Sequence, residues 1–133
     1  NETGLKVVIT GSISDLKLAG QIKDKMIQAP LIACGVLNIK QLGALAKRVD
    51  IFITADTGPL HIANAVGCKN IIAIFGPTSK EITGPYPSGN VVCLQKDVGC
   101  RVPCYKLNCL DNRCMQAITP SDVLAEVKKI RKL

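Results

Sequence analysis

Aromatic side chains are nearly missing from this sequence: there is no tryptophan, and two tyrosines and two phenylalanines make up 3% of 133 residues. Single-stranded nucleic acid is held by stacking bases on aromatic platforms, so this scarcity counts against nucleic acid as a partner. Long apolar runs are missing too. Stretches such as Ile71-Ile72-Ala73-Ile74-Phe75 fall far short of the roughly 18 residues that a membrane-crossing helix needs. No basic segment followed by a long apolar one marks a secretory signal, and no internal repeat or low-complexity tract is visible. The chain opens Asn1-Glu2-Thr3-Gly4 without an initiator methionine and enters an apolar run almost at once. That opening reads as a domain cut from a longer protein.

What is present is ordinary for a folded protein: 47% hydrophobic and 20% charged residues, enough to bury a core without staples. Seventeen Lys and Arg against ten Asp and Glu leave a formal charge of +7. A basic surface suits an anionic partner, either a nucleotide-sugar diphosphate or acidic lipid headgroups. Part of the excess is local, because Lys128, Lys129, Arg131 and Lys132 sit where they complement the C-terminus of a last helix. The seven cysteines are odd in number, and some fall inside apolar segments. Without a secretory signal this pattern favours reduced thiols in a cytoplasm.

Strand and helix patterns alternate along the chain. Lys6 to Ile9 is a β-rich run, and a helix is expected from Ser14 or Asp15 to about Gln28. After Pro30 comes the short apolar run Leu31 to Cys34. Asn38 is placed to cap a helix over Ile39 to Arg48. Ile51 to Thr54 reads as a buried strand, followed by a helix that opens at Gly58-Pro59 and stops at Gly67. Asn70 to Phe75 is a second apolar strand. A turn-rich loop, Gly76-Pro77-Thr78 to Gly84-Pro85-Tyr86-Pro87, separates it from the strand Val91 to Leu94. A cysteine-rich loop over 99–115 leads to a terminal helix starting at Ser121 or Asp122. Strands that alternate with helices and read as continuous apolar runs predict an α/β fold, a Rossmann-like parallel sheet with helices on both faces. Ligands of such sheets bind beyond the C-terminal ends of the strands.

The segment Ile51 to His61 is strand, polar turn and helix N-terminus in that order. The turn Ala55-Asp56-Thr57-Gly58 would present free backbone N–H groups and the positive end of a helix dipole, which together hold phosphate without a cationic side chain. Gly58 permits close approach of a ligand, Thr57 adds a hydroxyl, and Asp56 accepts from sugar hydroxyls. His61, one turn along, can donate to a phosphate or sugar oxygen. The plainer alternative is that Asp56 and Thr57 are helix caps and His61 a surface residue.

Asp56-Thr57-Gly58-Pro59-Leu60-His61-Ile62-Ala63-Asn64-Ala65-Val66-Gly67, followed by Ile74-Phe75-Gly76-Pro77-Thr78, resembles the signature of glycosyltransferase family 9. That family includes the ADP-heptose:lipopolysaccharide heptosyltransferases. Its pattern is D-[ST]-G-P-x-H-[ILM]-A-x-A-x-G, then an apolar strand ending F-G-P-T. The likeness extends over nearly the whole chain. Thr10-Gly11 with Asp15-Leu16-Lys17-Leu18-Ala19 is similar to the family's strand-to-helix turn, in which an acidic residue approaches the nucleotide ribose. Gly35-Val36-Leu37-Asn38-Ile39 sits where the family commonly has G-K-T-S-L lining the base pocket. Thr83-Gly84-Pro85-Tyr86, Cys104-Tyr105-Lys106 and Cys114-Met115 have counterparts as well. Two departures bear on the nucleotide contacts: Gly11-Ser12-Ile13-Ser14 is less glycine-rich than the family's turn, and Val36 replaces its frequent lysine. The plainer roles are an N-cap for Asp15 and a core position for Leu37.

The resemblance implies the C-terminal half of a GT-B glycosyltransferase, a single nucleotide-sugar-binding domain over residues 1–133 whose N-terminal acceptor domain is absent. It implies an inverting transfer of heptose or a related sugar, from ADP-heptose, to lipopolysaccharide core or another glycolipid. Thr57, Gly58 and His61 would hold the diphosphate, Asp56 would orient the sugar, Asp15 and Leu37 would flank the nucleoside, and Thr78 would border the cleft. No cofactor is implied and no catalytic base is assigned within this chain. The implied setting is cytoplasmic, in peripheral contact with the anionic inner face of the inner membrane. Cys100-x3-Cys104-x4-Cys109-x4-Cys114 offers a different reading, a metal-binding interaction module. Its spacing is not the C-x2-C of zinc ribbons, and Pro103, Asn108 and Asp111 mark it as a loop.

Overall fold

The structure is a computed structural model that describes residues 3–86, 90–106 and 108–132. Asn1 and Glu2 of the opening, Pro87 of the turn-rich loop and Leu107 of the cysteine-rich loop lie outside the described residues. Two compact units are present, Asn1–Gln41 and Leu42–Leu133, and each is described by itself.

In the first unit, strand β1 (Val8–Gly11) pairs in parallel with β2 (Leu31–Cys34), Val8 opposite Leu31 and Gly11 opposite Cys34. The first strand begins later than its apolar pattern predicts and runs on to Gly11. Between the two strands lie a short 3-10 turn (Ile13–Asp15) and helix α1 (Leu16–Asp24). The predicted single helix from Ser14 or Asp15 to Gln28 is thus split at its start and shortened at its end. Ser12 rather than Ser14 opens the turn. Its backbone N–H and hydroxyl both donate to Asp15 Oδ2, at 2.7 and 2.6 Å. At the far end, Ile27 is exposed and contributes nothing to a core, so the helical periodicity there finds no packing. The turn leading to α2 (Ile39–Arg48) is capped as the sequence predicts. Asn38 Oδ1 accepts from the Gln41 N–H and Gln41 Oε1 from the Asn38 N–H, each at 2.9 Å.

The second unit holds a three-stranded parallel sheet in the order β3-β4-β5: β3 is Phe52–Ala55, β4 Asn70–Ile74 and β5 Asn90–Leu94. Phe52 faces Ile71 across the first pair, and Asn70 faces Asn90 across the second. The central strand β4 explains its own sequence. Ile71, Ile72 and Ala73 are all essentially inaccessible to solvent, and successive residues of a strand point to opposite faces. Both faces are therefore covered, and helices α3 (Gly58–Ala65) and α6 (Pro120–Arg131) both pack on β4. Leu60 and Ala63 of α3 join Phe52, Ile71, Ala73 and Phe75 in one buried cluster. Gly43 on α2 lies so near α3 that a Cβ there would stand 3.2 Å from Val66 Cγ1.

Two short helices appear where only loop is predicted, α4 (Lys80–Thr83) and α5 (Arg113–Gln116), each a single turn. A four-residue helix leaves too little periodicity to read from sequence. The terminal helix α6 starts at Pro120, just before the predicted Ser121 or Asp122. Thr119 is its cap: Asp122 N–H donates to Thr119 Oγ1 at 3.3 Å, and Thr119 N–H to Asp122 Oδ2 at 2.8 Å. Among the described residues no helix is long and apolar enough to cross a membrane.

Candidate functional site

The turn from β3 to α3 forms where the sequence predicts it. Thr57 is the N-cap residue, in extended conformation, and Gly58-Pro59 open the helix. The helix is seated from below by Leu60 and Ala63, both fully buried, while Thr57, Gly58 and His61 are exposed. Few backbone donors are left free at this end. The Asp56 N–H is spent on the Ile74 carbonyl at 3.2 Å and the Leu60 N–H on the Thr57 carbonyl at 3.0 Å. Pro59 has no N–H to give. Among the described residues, the N–H groups of Thr57 and Gly58 have no acceptor, so two donors remain at the positive end of the helix. The Thr57 hydroxyl does not cap the helix. It reaches the Ala55 carbonyl at 3.3 Å, a long bond that a better acceptor would displace. A Cβ built on Gly58 would meet no atom outside its own helix within 4 Å, so the space above these donors is open.

Asp56 is half-buried and its carboxylate is held from one side. Thr83, the last residue of α4, donates its hydroxyl to Asp56 Oδ2 at 2.7 Å. Thr83 Oγ1 also lies 3.0 Å from the Ser79 carbonyl, but it carries one proton, and the ionised carboxylate is the nearer and stronger acceptor. Among the described residues Oδ1 of Asp56 has no hydrogen-bond partner. Helix α4 is a single turn closed by its own hydrogen bonds. The Thr83 and Ile82 N–H groups bond to the Ser79 carbonyl, and the Gly84 N–H bonds to that of Lys80. A Cβ on Gly84 would run into the Lys80 carbonyl oxygen. Ser79 is buried, and its hydroxyl, 2.8 Å from Glu81 Oε2, keeps that carboxyl below its usual range.

The second motif, Phe75-Gly76-Pro77-Thr78, follows β4 and is fastened from several directions. Phe75 is fully buried. Gly76 packs against the Met115 side chain, with Cγ 2.8 Å from where a Cβ would stand and Cys114 Sγ at 3.6 Å. Gln95 Nε2 donates to the Thr78 carbonyl at 2.7 Å, and the Cys104 N–H to that of Pro77 at 2.7 Å. This explains why a Cys-Met pair far along the chain accompanies the F-G-P-T motif: Met115 fills the space that only glycine leaves. Gln95, Met115 and Thr83 are supports that inspection of single motifs missed. The sole signal for the last two was that their segments matched the family pattern without an assigned role.

His61 lies on the outer side of α3, beside an open hollow of about 730 Å³ also lined by Asn64, Gly67, Lys69, Tyr86 and Asn90. Asn64 Nδ2 donates to the Tyr86 carbonyl at 3.0 Å, tying the helix to the segment after α4. Cys93 on β5 is a half-buried thiol whose pKa is pushed up, first by burial and then by the Asp56 and Glu81 charges against an opposing Lys80.

The other two candidates belong to the first unit, at the C-terminal ends of β1 and β2. Asp15 is exposed, and the Ser12 hydroxyl and N–H hold its carboxyl below the ordinary range. It thus closes the capping box of the 3-10 turn, in which Ser12 is the N-cap, and its side chain makes no cap bond to α1 itself. Gly11 allows this fold-back, since a Cβ there would stand 2.7 Å from Asp15 Oδ2. The turn before half-buried Leu37 lies against the same loop. Gly35 has φ +72°, and a Cβ on it would approach Ile13 Cα to 3.1 Å. So Asp56, Thr57, Gly58 and His61 share one turn and helix end, while the loops bearing Asp15 and Leu37 adjoin each other.

The cysteine-rich loop gathers less than its spacing promises. Among the described residues, no three His, Cys, Asp or Glu side chains are grouped so as to hold a metal. Cys100, Cys104, Cys109 and Cys114 are unbridged, two of them exposed and two half-buried. A module built on metal in this loop draws no support from the structure.

The profile of glycosyltransferase family 9 (heptosyltransferase) matches residues 1–113, and the chain belongs to that family. It is 35% identical over 99 residues to lipooligosaccharide heptosyltransferase 2 of Campylobacter jejuni, covering 73% of this chain and 31% of that protein. It is 28% identical over 130 residues to lipopolysaccharide heptosyltransferase 3 of Escherichia coli, covering 96% and 38%. A solved family 9 glycosyltransferase from Veillonella parvula superposes with a TM-score of 0.80 at 24% identity, over 97% of this chain and 37% of that one. That likeness establishes the Rossmann-like α/β fold. The chain spans about a third of the length of the curated relatives it matches.

Proposed function

We propose that residues 1–133 form the C-terminal, donor-binding domain of an inverting GT-B glycosyltransferase that transfers heptose from ADP-heptose to lipopolysaccharide core. Family membership and the heptosyltransferase relatives support the class of reaction. The observation that carries the site assignment is the β3–α3 turn: two unspent N–H donors and an open space at a helix N-terminus, next to a carboxylate already oriented by Thr83.

On this reading the N–H groups of Thr57 and Gly58 meet the diphosphate, with the Thr57 hydroxyl and His61 as further donors. The free Oδ1 of Asp56 accepts from a sugar hydroxyl. Asp15 and Leu37 keep the nucleoside-binding roles that likeness to the family implies. A base supplied by the acceptor domain removes the proton of the acceptor hydroxyl, whose oxygen attacks the anomeric carbon. The bond from that carbon to the diphosphate breaks, and its electron pair leaves on the nucleoside diphosphate. Donors fixed before the reaction stabilise that growing charge without reorganising, so no metal is required. The lipopolysaccharide or related glycolipid acceptor engages the N-terminal domain. The enzyme works in the cytoplasm against the anionic inner face of the inner membrane, toward which the chain's charge of +7 is attracted.

The test is transfer of heptose by the full-length protein carrying Asp56→Ala or Gly58→Val. Both variants are expected to fold and to lose transfer. Full activity in either would remove the turn from the mechanism.

A further inference from the structure

We infer that Thr83 is the positioning residue for Asp56, and that through this bond α4 governs how the site distinguishes a sugar nucleotide from the bare nucleoside diphosphate. The inference rests on the donor-site reading above and deepens it.

The bond joins residues 27 apart in sequence, and nothing in the strand–turn–helix of Asp56 requires it. Asp56 is anchored by its backbone through Ile74, but its side chain keeps rotameric freedom unless a second group holds it. Thr83 is the one described side chain that donates to that carboxylate. A hydroxyl bonded to a carboxylate in a half-exposed setting is charge-assisted and short, as the 2.7 Å separation is. It engages Oδ2 and leaves Oδ1 as the oxygen for a ligand hydroxyl. The diphosphate donors, Thr57 and Gly58 N–H, are backbone groups and owe nothing to Thr83. Loss of the bond should therefore fall on recognition of the sugar and spare the diphosphate.

The footing of Thr83 suits that role. One turn of helix has little stability of its own, yet α4 is closed at both ends. The Ser79 carbonyl accepts from Ile82 and Thr83, while Gly84 turns back on Lys80 in a space that admits no side chain.

The experiment compares wild-type, Thr83→Val and Thr83→Ser full-length proteins by calorimetry, titrating each with ADP-heptose and with ADP. Thermal melts report the fold. Thr83→Val keeps the shape and removes the donor. Its affinity for ADP-heptose should fall about tenfold, the scale of one hydrogen bond to a charged group. Its affinity for ADP should stay within about twofold, and Thr83→Ser should restore most of the loss. Three results would overturn the inference: unchanged binding of both ligands by Thr83→Val, an equal loss for both, or no rescue by serine. A wild-type protein that binds ADP-heptose no better than ADP would overturn it while leaving the nucleotide site standing. A wild-type protein that binds neither would overturn the donor-site reading and this inference together.

Discussion

Replacing Gly58 by alanine should make the protein slightly more stable and a much poorer binder of its donor. Gly58 is the first residue of α3, and its φ is not in the left-handed region that favours glycine. A Cβ there would touch nothing outside the helix. Folding therefore does not demand glycine at this position. Where the native backbone accepts alanine, the substitution stabilises by about 0.4–1 kcal/mol, chiefly because the unfolded chain loses freedom. The ligand demands what folding does not. The new methyl group would not cover the N–H itself, but it would crowd a diphosphate brought close against it, an approach that glycine permits and alanine hinders. Losing a hydrogen bond to a charged group costs about 1.5–3 kcal/mol, or roughly a tenfold to hundredfold weaker Kd. The assay pairs urea denaturation with calorimetric titration of ADP-heptose on the same preparations. Opposite signs for the two changes are the expected signature. Unchanged affinity would mean the open space is not where the ligand sits, and a large loss of stability would mean it is not open.

The motif segment was legible because its structure is local. A strand, a four-residue polar turn and a Gly-Pro helix start follow one another without interruption from Ile51 to His61. The apolar run of β4 likewise announced a strand buried on both faces, as Ile71 and Ile72 are. What could not be read was the set of contacts between distant residues. Nothing near Thr83 indicates that its hydroxyl reaches Asp56, and nothing near Met115 indicates that it fills the space beside Gly76. Which backbone donors stay free was equally hidden. Pro59 was visible as a missing N–H, but the use of the Asp56 N–H by Ile74 depends on strand pairing. Asp15 was readable as either cap or ligand residue. The bonds from Ser12 make it the capping-box partner of that serine rather than the N-cap of α1, and the ligand role stays a proposal.

Leu60→Ala should cost about 2–5 kcal/mol, because Leu60 is fully buried in the cluster that seats α3; a loss below about 1 kcal/mol in urea denaturation would contradict that packing. Gly84→Ala should unwind α4 against the Lys80 carbonyl and lower affinity for ADP-heptose more than for ADP, and an equal effect on both would break the link from α4 to Asp56. The Asp122 carboxyl is lowered from 3.8 to about 2, first by the Lys96 ammonium and then by the Thr119 N–H and hydroxyl. A depressed folded-state pKa contributes stability above the unfolded value, and that contribution disappears as pH falls through the folded one. The start of α6 should therefore loosen between about pH 4 and pH 2, and an amide protection factor at Val123, corrected for the intrinsic pH dependence of exchange, that is flat across this window would refute it. Transfer should persist in excess EDTA, whereas loss of activity restored by a divalent cation would overturn the metal-free account.

Whether the N-terminus of α3 holds a nucleotide-activated sugar is decided by calorimetric titration of the full-length protein with ADP-heptose, ADP, a UDP-sugar and a GDP-sugar. ADP-heptose should bind saturably, more tightly than ADP and far more tightly than the other two sugars, and Gly58→Val should abolish that binding. Failure of every nucleotide to bind, or equal binding by the Gly58→Val variant, would contradict it.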